Sequence, residues 1–142
     1  MSVTSQLKYI RLQSDDDLPE LSEPGPFKVI LVIDEETSQP WQWDVARWLV
    51  RTNCRCVMTS GLECVSWEEA VEDAHLEAFD FEEVPEDQAI VTTSHEDEEL
   101  AEVFWYCRHR ARHPVHELTH TVVLHISNEI KKTEFEKLYA NA

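Results

Sequence analysis

The sequence predicts an α/β fold with a mostly parallel sheet of four to five strands. Strand-like and helix-like segments alternate four times after residue 26, and parallel strands joined by helical crossovers are the common way to close such a pattern. Residues 27–33 are nearly all apolar, which is typical of a strand covered on both faces. We therefore expect a three-layer sandwich of the Rossmann-like or flavodoxin-like type as a single domain over residues 27–142, preceded by a lead-in over residues 1–26.

The strands are predicted from short apolar runs bounded by turn residues. In the lead-in, Leu7, Tyr9, Ile10 and Leu12 predict an edge strand, followed by a loop that contains three prolines. Gly61 is expected to end the second strand of the main domain. The predicted strands of the main domain are residues 27–33, 54–58, 89–93 and 121–126.

The helices are predicted from apolar residues three and four positions apart. Pro40 favours the first turn of the first helix. Ser66 followed by Glu69 predicts a capping box at the start of the second helix, and Ser94 with Asp97 predicts a cap for the third. The third and fourth helices are predicted over residues 98–112 and 131–140.

The charge of the chain is strongly negative. The formal net charge is −17, and no Lys or Arg lies between Arg55 and Arg108. Sixteen acidic residues lie between Glu63 and Glu102. Such a surface repels nucleic acid and anionic membranes, and it attracts a basic protein or divalent cations. The simpler interpretation of the charge is solubility.

The chain contains no run of 18 apolar residues and no secretory signal pattern at its start, so we expect a cytoplasmic location. Cys54 and Cys56 are two apart in a predicted strand and are expected on one face. The cysteine spacings match no zinc motif. We expect reduced, mostly buried thiols.

A ligand site is expected beyond the carboxyl ends of the strands, where open parallel sheets bind their ligands. The chain has only two glycines, Gly25 and Gly61, so no glycine-rich turn follows the first strand of the main domain to hold a phosphate. We therefore expect no nucleotide cofactor.

Two chemical alternatives remain at this edge. Cys64 could act as a nucleophile with His95 as its base, although neighbouring glutamates would keep the thiol protonated. Alternatively, Asp34, His95, Asp97 and Glu98 could hold a divalent metal such as magnesium or manganese. The competing interpretation is that Asp97 and Glu98 only begin a helix that follows the cap.

Two of the five tryptophans, Trp43 and Trp105, lie off the apolar stripes of their predicted helices. An exposed tryptophan beside an acidic surface is a common anchor of a protein interface. A basic patch around His109 and His113, with the neighbouring arginines, could bind an acidic partner or a second copy in a homodimer. The candidate binding residues are Trp43, Trp67, Glu68, Glu69, Asp97, Glu98 and Trp105.

The sequences of residues 41–54, 64–79 and 91–105 resemble a family of small acidic bacterial α/β proteins of unknown function. The resemblance covers nearly the whole chain after residue 26. It implies a bacterial or phage source and a single domain, and it implies no activity. The chain departs from the family pattern at Glu68, Glu69 and Ser94.

The sequence therefore supports three functional hypotheses. The first is a non-catalytic acidic protein-binding module, of the immunity, inhibitor or adaptor type, with a basic protein as its partner. The second is a small hydrolase, either metal-dependent or with a Cys–His pair. The third is a DNA mimic, in which spaced carboxylates imitate phosphates.

Overall fold

The fold is a five-stranded, all-parallel sheet between two layers of helices. The structure, a computed structural model, describes residues 7–21, 23 and 25–142. The elements follow in the order β1 (Leu7–Leu12), β2 (Phe27–Ile33), α1 (Gln39–Val50), β3 (Cys54–Gly61), α2 (Cys64–Ala78), β4 (Val91–Ser94), α3 (Leu100–His109), β5 (His120–Ile126) and α4 (Lys132–Ala140), with a short 3₁₀ turn at Glu86–Gln88 before β4. The α/β prediction is confirmed.

The strand order in the sheet is β1-β5-β2-β3-β4, and every pair is parallel. The chain moves outward from β2 through β3 to β4, and then crosses back to place β5 on the other side of β2. The predicted edge strand of the lead-in is β1, which pairs with β5. The order of the strands therefore reverses between β2 and β5, which makes their carboxyl ends the topological switch point of the sheet.

The core lies on both faces of the sheet. All seven residues of β2 are buried, as expected for a central strand. Helices α1 and α2 cover one face through Val45, Leu49 and Val71, and α3 and α4 cover the other through Phe104 and Phe135. The two helix layers therefore present their outer surfaces in opposite directions.

One prediction about the strands is wrong. Cys54 and Cys56 lie on opposite faces of the sheet, one in each core. The pairing of β3 with β2 shifts between Phe27 and Lys28, which leaves Arg55 as an extra residue. In a regular strand, residues two apart point to the same face. Because the bulge adds one residue between Cys54 and Cys56, these two side chains point to opposite faces instead.

Two predicted helix caps are also wrong. Ser38 is the N-cap of α1, with Pro40 in its first turn as predicted. However, Ser66 lies inside α2, where its hydroxyl receives a hydrogen bond from Gln42 Nε2 at 3.2 Å. Helix α3 begins at Leu100, after a turn in which Asp97 has a φ of 63°. Both cap patterns occur in the sequence, but neither forms a cap. Ser66 contacts Gln42 of α1, and Asp97 lies in the turn before α3.

Candidate functional site

The candidate site is a cavity of about 460 Å³ at the carboxyl ends of β2, β3 and β4. Asp34 directly follows β2, and its backbone N–H donates to Ile126 O at 2.9 Å, which extends the sheet by one residue. The β4–α3 turn and the start of α4 form the opposite walls. The polar residues around the cavity are Asp34, Ser60, His95, Asp97, Glu98, Lys131 and Glu134.

A chain of three hydrogen-bonded side chains ends at this cavity. The hydroxyl of Tyr9 lies 2.6 Å from Nδ1 of His125, and Nε2 of His125 lies 2.5 Å from Oδ2 of Asp34. His125 is completely buried within β5, whereas Asp34 is 43 % exposed. The three residues come from β1, β5 and the end of β2, so the switch point brings them together.

The pattern of donors and acceptors favours one placement of the protons along this chain. The backbone N–H of Lys131 donates to the Tyr9 hydroxyl oxygen at 3.0 Å. The hydroxyl proton of Tyr9 is therefore free to be donated to Nδ1 of His125, and Nε2–H of His125 donates to Asp34. This assignment gives the Tyr9 hydroxyl and both ring nitrogens of His125 a partner. The hydrogen bond from His125 lowers the pKa of Asp34, more than its partial burial raises it, and Lys131 lowers it further.

His95 has a structural place in the β4–α3 turn. Its Nε2 lies 2.8 Å from the hydroxyl of Thr93, and its Nδ1 lies 3.1 Å from Oε2 of Glu98. The ring is buried and packs against Tyr106 in an edge-to-face contact. Both ring nitrogens therefore have partners, and His95 holds the turn against the sheet.

The predicted Cys64–His95 pair is not formed. Cys64 begins α2 and is 2 % exposed. Burial, followed by the charge of Glu96, raises the pKa of the thiol. Because both nitrogens of His95 have other partners, neither is available to take the thiol proton. The arrangement gives Cys64 the character of a buried, protonated thiol.

The predicted metal ligands lie around one cavity but do not converge. Asp34, His95, Asp97 and Glu98 all line it. However, within residues 7–21, 23 and 25–142, no three His, Cys, Asp or Glu side chains are grouped closely enough to hold a metal ion. Two of the four candidates also have histidine-based hydrogen bonds, Asp34 with His125 and Glu98 with His95. The structure therefore does not bring these four residues together as a metal-binding group.

The candidate tryptophan anchors divide into three environments. Trp67 is fully buried and packs edge-to-face on Trp41, with ring centroids 6.2 Å apart. Its prediction as a binding residue is wrong, because it offers a partner no surface. Trp43 and Trp105 are 43 % and 44 % exposed. They lie on α1 and α3, in opposite helix layers, so one flat partner cannot contact both.

The acidic residues between Glu63 and Glu102 form a nearly uncompensated surface, which we call the acidic face. It extends over both helix layers, because α2 and α3 pack on opposite sides of the sheet. It runs along α2, the 3₁₀ turn, the β4–α3 turn and the start of α3. Of its sixteen carboxylates, only Glu77 and Glu98 form ion pairs in the described part of the chain, with Arg47 and His95. The pKa of Glu72 is raised, first by burial and then by neighbouring carboxylates, including Glu68 and Glu69.

Tyr9, His125 and Lys131 were not predicted as site residues. The position of His125 within an apolar strand could have indicated a hydrogen-bonded histidine, because a buried imidazole requires partners for both nitrogens. That signal indicates that His125 is hydrogen-bonded, but it does not identify Tyr9 or Asp34 as the partners.

The all-parallel sheet with a polar switch point defines the chain as an open α/β protein. A family model described as a domain of unknown function, DUF7684, matches residues 7–142, and the chain belongs to this family. No curated protein and no solved structure matches the chain. No helix among the described residues is long and apolar enough to cross a membrane.

Proposed function

We propose that this protein is a non-catalytic acidic binding module of the immunity, inhibitor or adaptor type. The observation that carries the proposal is the acidic face, where fourteen of sixteen carboxylates have no ion-pair partner among the described residues. Uncompensated like charges destabilise a folded chain by mutual repulsion. A surface of this kind gains free energy when a complementary positive surface covers it.

The proposed centre of the interface is Trp105, which lies beside the part of the acidic face on the β4–α3 turn and α3. Trp43 lies beside Asp73 and Glu77, in the part of the acidic face on α2. Trp105 lines a cavity of about 500 Å³ together with Glu98, Glu102 and Tyr106. One exposed tryptophan beside carboxylates gives a partner both apolar area and charge at one place. Trp43, on the opposite helix layer, is left out of this interface.

The proposed partner is a basic protein. A lysine or arginine of the partner would pack its aliphatic stem on the Trp105 and Tyr106 rings and place its cationic group at Glu98 or Glu102. Trp105 already accepts a cation in this way, because the guanidinium of Arg110 lies 4.9 Å from its ring centre. Long-range attraction would speed association and make it sensitive to salt.

The same proposal includes a bacterial or phage source, a cytoplasmic location and a role in cellular defence. Among these points, the family resemblance supports the bacterial or phage source. The net charge of −17 also supports the expectation that the protein does not bind nucleic acid or anionic membranes directly.

The test is affinity capture from cells, followed by calorimetry with the captured protein. We expect a basic partner that binds the unmodified chain and loses affinity by about tenfold or more when Trp105→Ala is combined with Glu102→Gln. The matched control combines Trp43→Ala with Glu136→Gln, which changes one exposed tryptophan and one exposed carboxylate elsewhere. This control should bind as the unmodified chain does.

The proposal is contradicted if no protein is captured, or if both double variants bind equally well. A second result would favour the DNA-mimic alternative. In that case the captured protein binds DNA, and duplex DNA displaces it from the acidic face in competition.

A further inference from the structure

A second cavity, of about 430 Å³, lies at the opposite edge of the sheet, near the amino ends of β2 and β5. Its lining contains three Lys or Arg side chains and one carboxylate, Glu117. This reverses the charge balance of a chain with 12 Lys+Arg and 29 Asp+Glu. The cationic and imidazole side chains of the lining are Lys28, Arg108, His109, Arg112, His113 and His116.

Lys28 is a buried lysine at this cavity. It lies in the central strand β2 and is 7 % exposed. Its ammonium donates to Cys107 O at 2.6 Å, which leaves two of its three N–H donors without a partner in the part of the chain that the structure describes. No described carboxylate forms an ion pair with it. Buried charges in proteins are normally paired, because an isolated charge loses its hydration without compensation.

Arg108 and Arg112 also lack an acidic side-chain partner within the described residues. Arg108 Nη1 donates to main-chain oxygens of Tyr139, Ala140 and Ala142, at 3.0 to 3.2 Å. Arg112 donates to Ala111 O and His109 O. These hydrogen bonds orient both guanidinium groups. Three Lys and Arg side chains therefore meet at one cavity without a side-chain carboxylate at ion-pair distance.

Two histidines hold the wall of the cavity in place. His113 Nε2 lies 2.8 Å from Ala89 O, and its Nδ1 accepts from the backbone N–H groups of Val115 and His116. His116 Nε2 lies 2.7 Å from Asp87 O. The segment that carries the cations is therefore tied to the 3₁₀ turn and is held in place before any ligand arrives, which reduces the entropic cost of binding.

We propose that this cavity binds a small organic phosphate. Guanidinium groups match the planar oxygen pairs of phosphate, and a buried ammonium supplies a point charge to the same group. The volume of about 430 Å³ lies in the range of small-molecule sites and leaves room for an organic portion beside the phosphate. The hydroxyls of Tyr139 and Thr121 line the cavity and hydrogen-bond to each other at 2.9 Å.

The test is titration calorimetry of the whole chain with ribose 5-phosphate, at an ionic strength held constant with sodium chloride. We expect saturable binding of one ligand per chain. Arg112→Gln and Lys28→Met should each weaken binding by about tenfold or more. The matched control is Arg51→Gln, an exposed arginine at the end of α1, which should change affinity by less than about twofold.

Several results would overturn the proposal. These are the absence of saturable binding, equal affinity of the Arg112→Gln variant and the unmodified chain, or equal weakening by Arg51→Gln, which would indicate general charge attraction. Equal or tighter binding of citrate would assign the cavity to carboxylates instead of phosphates. Arg112 is exposed, so Arg112→Gln decides the question even if Lys28→Met fails to fold.

Discussion

Nε2 of His125 lies 2.5 Å from Oδ2 of Asp34, although the two residues are 91 positions apart in the chain. The imidazole is completely buried and the carboxylate is partly open to the cavity. This hydrogen bond joins the ends of two neighbouring strands at the switch point. It also gives Asp34 a pKa below its usual value of 3.8.

We expect Asp34→Asn to lower the free energy of unfolding by about 1 kcal/mol at pH 7, because solvent screens a partly exposed pair. The folded pKa of Asp34 lies below the unfolded pKa. The stabilisation is therefore present above about pH 4 and is lost as the pH falls through the folded value. Urea unfolding of both proteins, followed from neutral pH to about pH 3, measures this loss.

The control for this series is Glu36→Gln, which changes an exposed carboxylate two residues away. It should alter the free energy of unfolding by less than about 0.5 kcal/mol. A difference between the unmodified chain and Asp34→Asn that stayed constant down to pH 3 would show that the ionised Asp34 carboxylate is not its source.

Tyr9→Phe tests the other end of the same hydrogen-bonded chain. Removal of the hydroxyl leaves Nδ1 of His125 and the backbone N–H of Lys131 without their partner, so we expect a loss of about 1–3 kcal/mol in the free energy of unfolding. Tyr106→Phe is the matched control, because the Tyr106 hydroxyl has no hydrogen bond within the described ranges. Equal stability of the two variants in urea unfolding would refute the role of Tyr9.

Gly61→Ala should be much more destabilising than Gly25→Ala. Both glycines have positive φ values, 95° and 111°, so both substitutions strain the backbone. At Gly61, however, an added Cβ would lie 2.2 Å from Ile33 O, whereas at Gly25 no described atom lies within 4 Å. We expect losses of about 3 kcal/mol or more against about 1 kcal/mol, measured by chemical denaturation. Similar losses would mean that β2 and β3 can separate at their ends.

Trp67→Ala and Trp105→Ala distinguish the core tryptophan from the proposed anchor. Trp67 is fully buried, so its truncation should cost about 3–5 kcal/mol of stability. Trp105 is 44 % exposed, and its truncation should cost less than about 1 kcal/mol. The measurement is thermal and urea unfolding of both variants. A large loss at Trp105 would assign it a structural role and remove it from the proposed interface.

The four cysteines should react slowly with a thiol reagent in the native protein. Burial raises the pKa of Cys54 and Cys56 to about 12, and it also raises the pKa values of Cys64 and Cys107. Because the thiolate is the reactive form, Ellman's reagent at about pH 8 should detect the thiols only after denaturation. A single fast-reacting thiol, removed by Cys64→Ser, would restore Cys64 as a nucleophile.

The fold was predictable because its signals are local. The unbroken apolar run of β2 and the alternation of strands with helices depend on neighbouring residues. The caps at Ser66 and Ser94 were predicted wrongly because a cap pattern reports only which bonds a side chain can make. Gln42, in another helix, donates to the Ser66 hydroxyl instead.

The candidate site was only partly predictable because it depends on strand order. Asp34 was placed at the carboxyl edge from the sequence, since it follows the first strand of the main domain. His125 and Tyr9 join it only because β5 lies between β1 and β2. The position of β5 depends on how α3 crosses the sheet, and no short-range pattern reports that crossing.

The pairing of β1 with β5 has a consequence for synthesis of the chain. Tyr9 and His125 are 116 positions apart, so β1 leaves the ribosome well before β5 is made. At roughly 5–20 residues per second, translation leaves β1 without its neighbour for many seconds. During that interval Leu7–Leu12 is an unpaired strand in the nascent polypeptide, and chaperones would have their clearest opportunity to bind there.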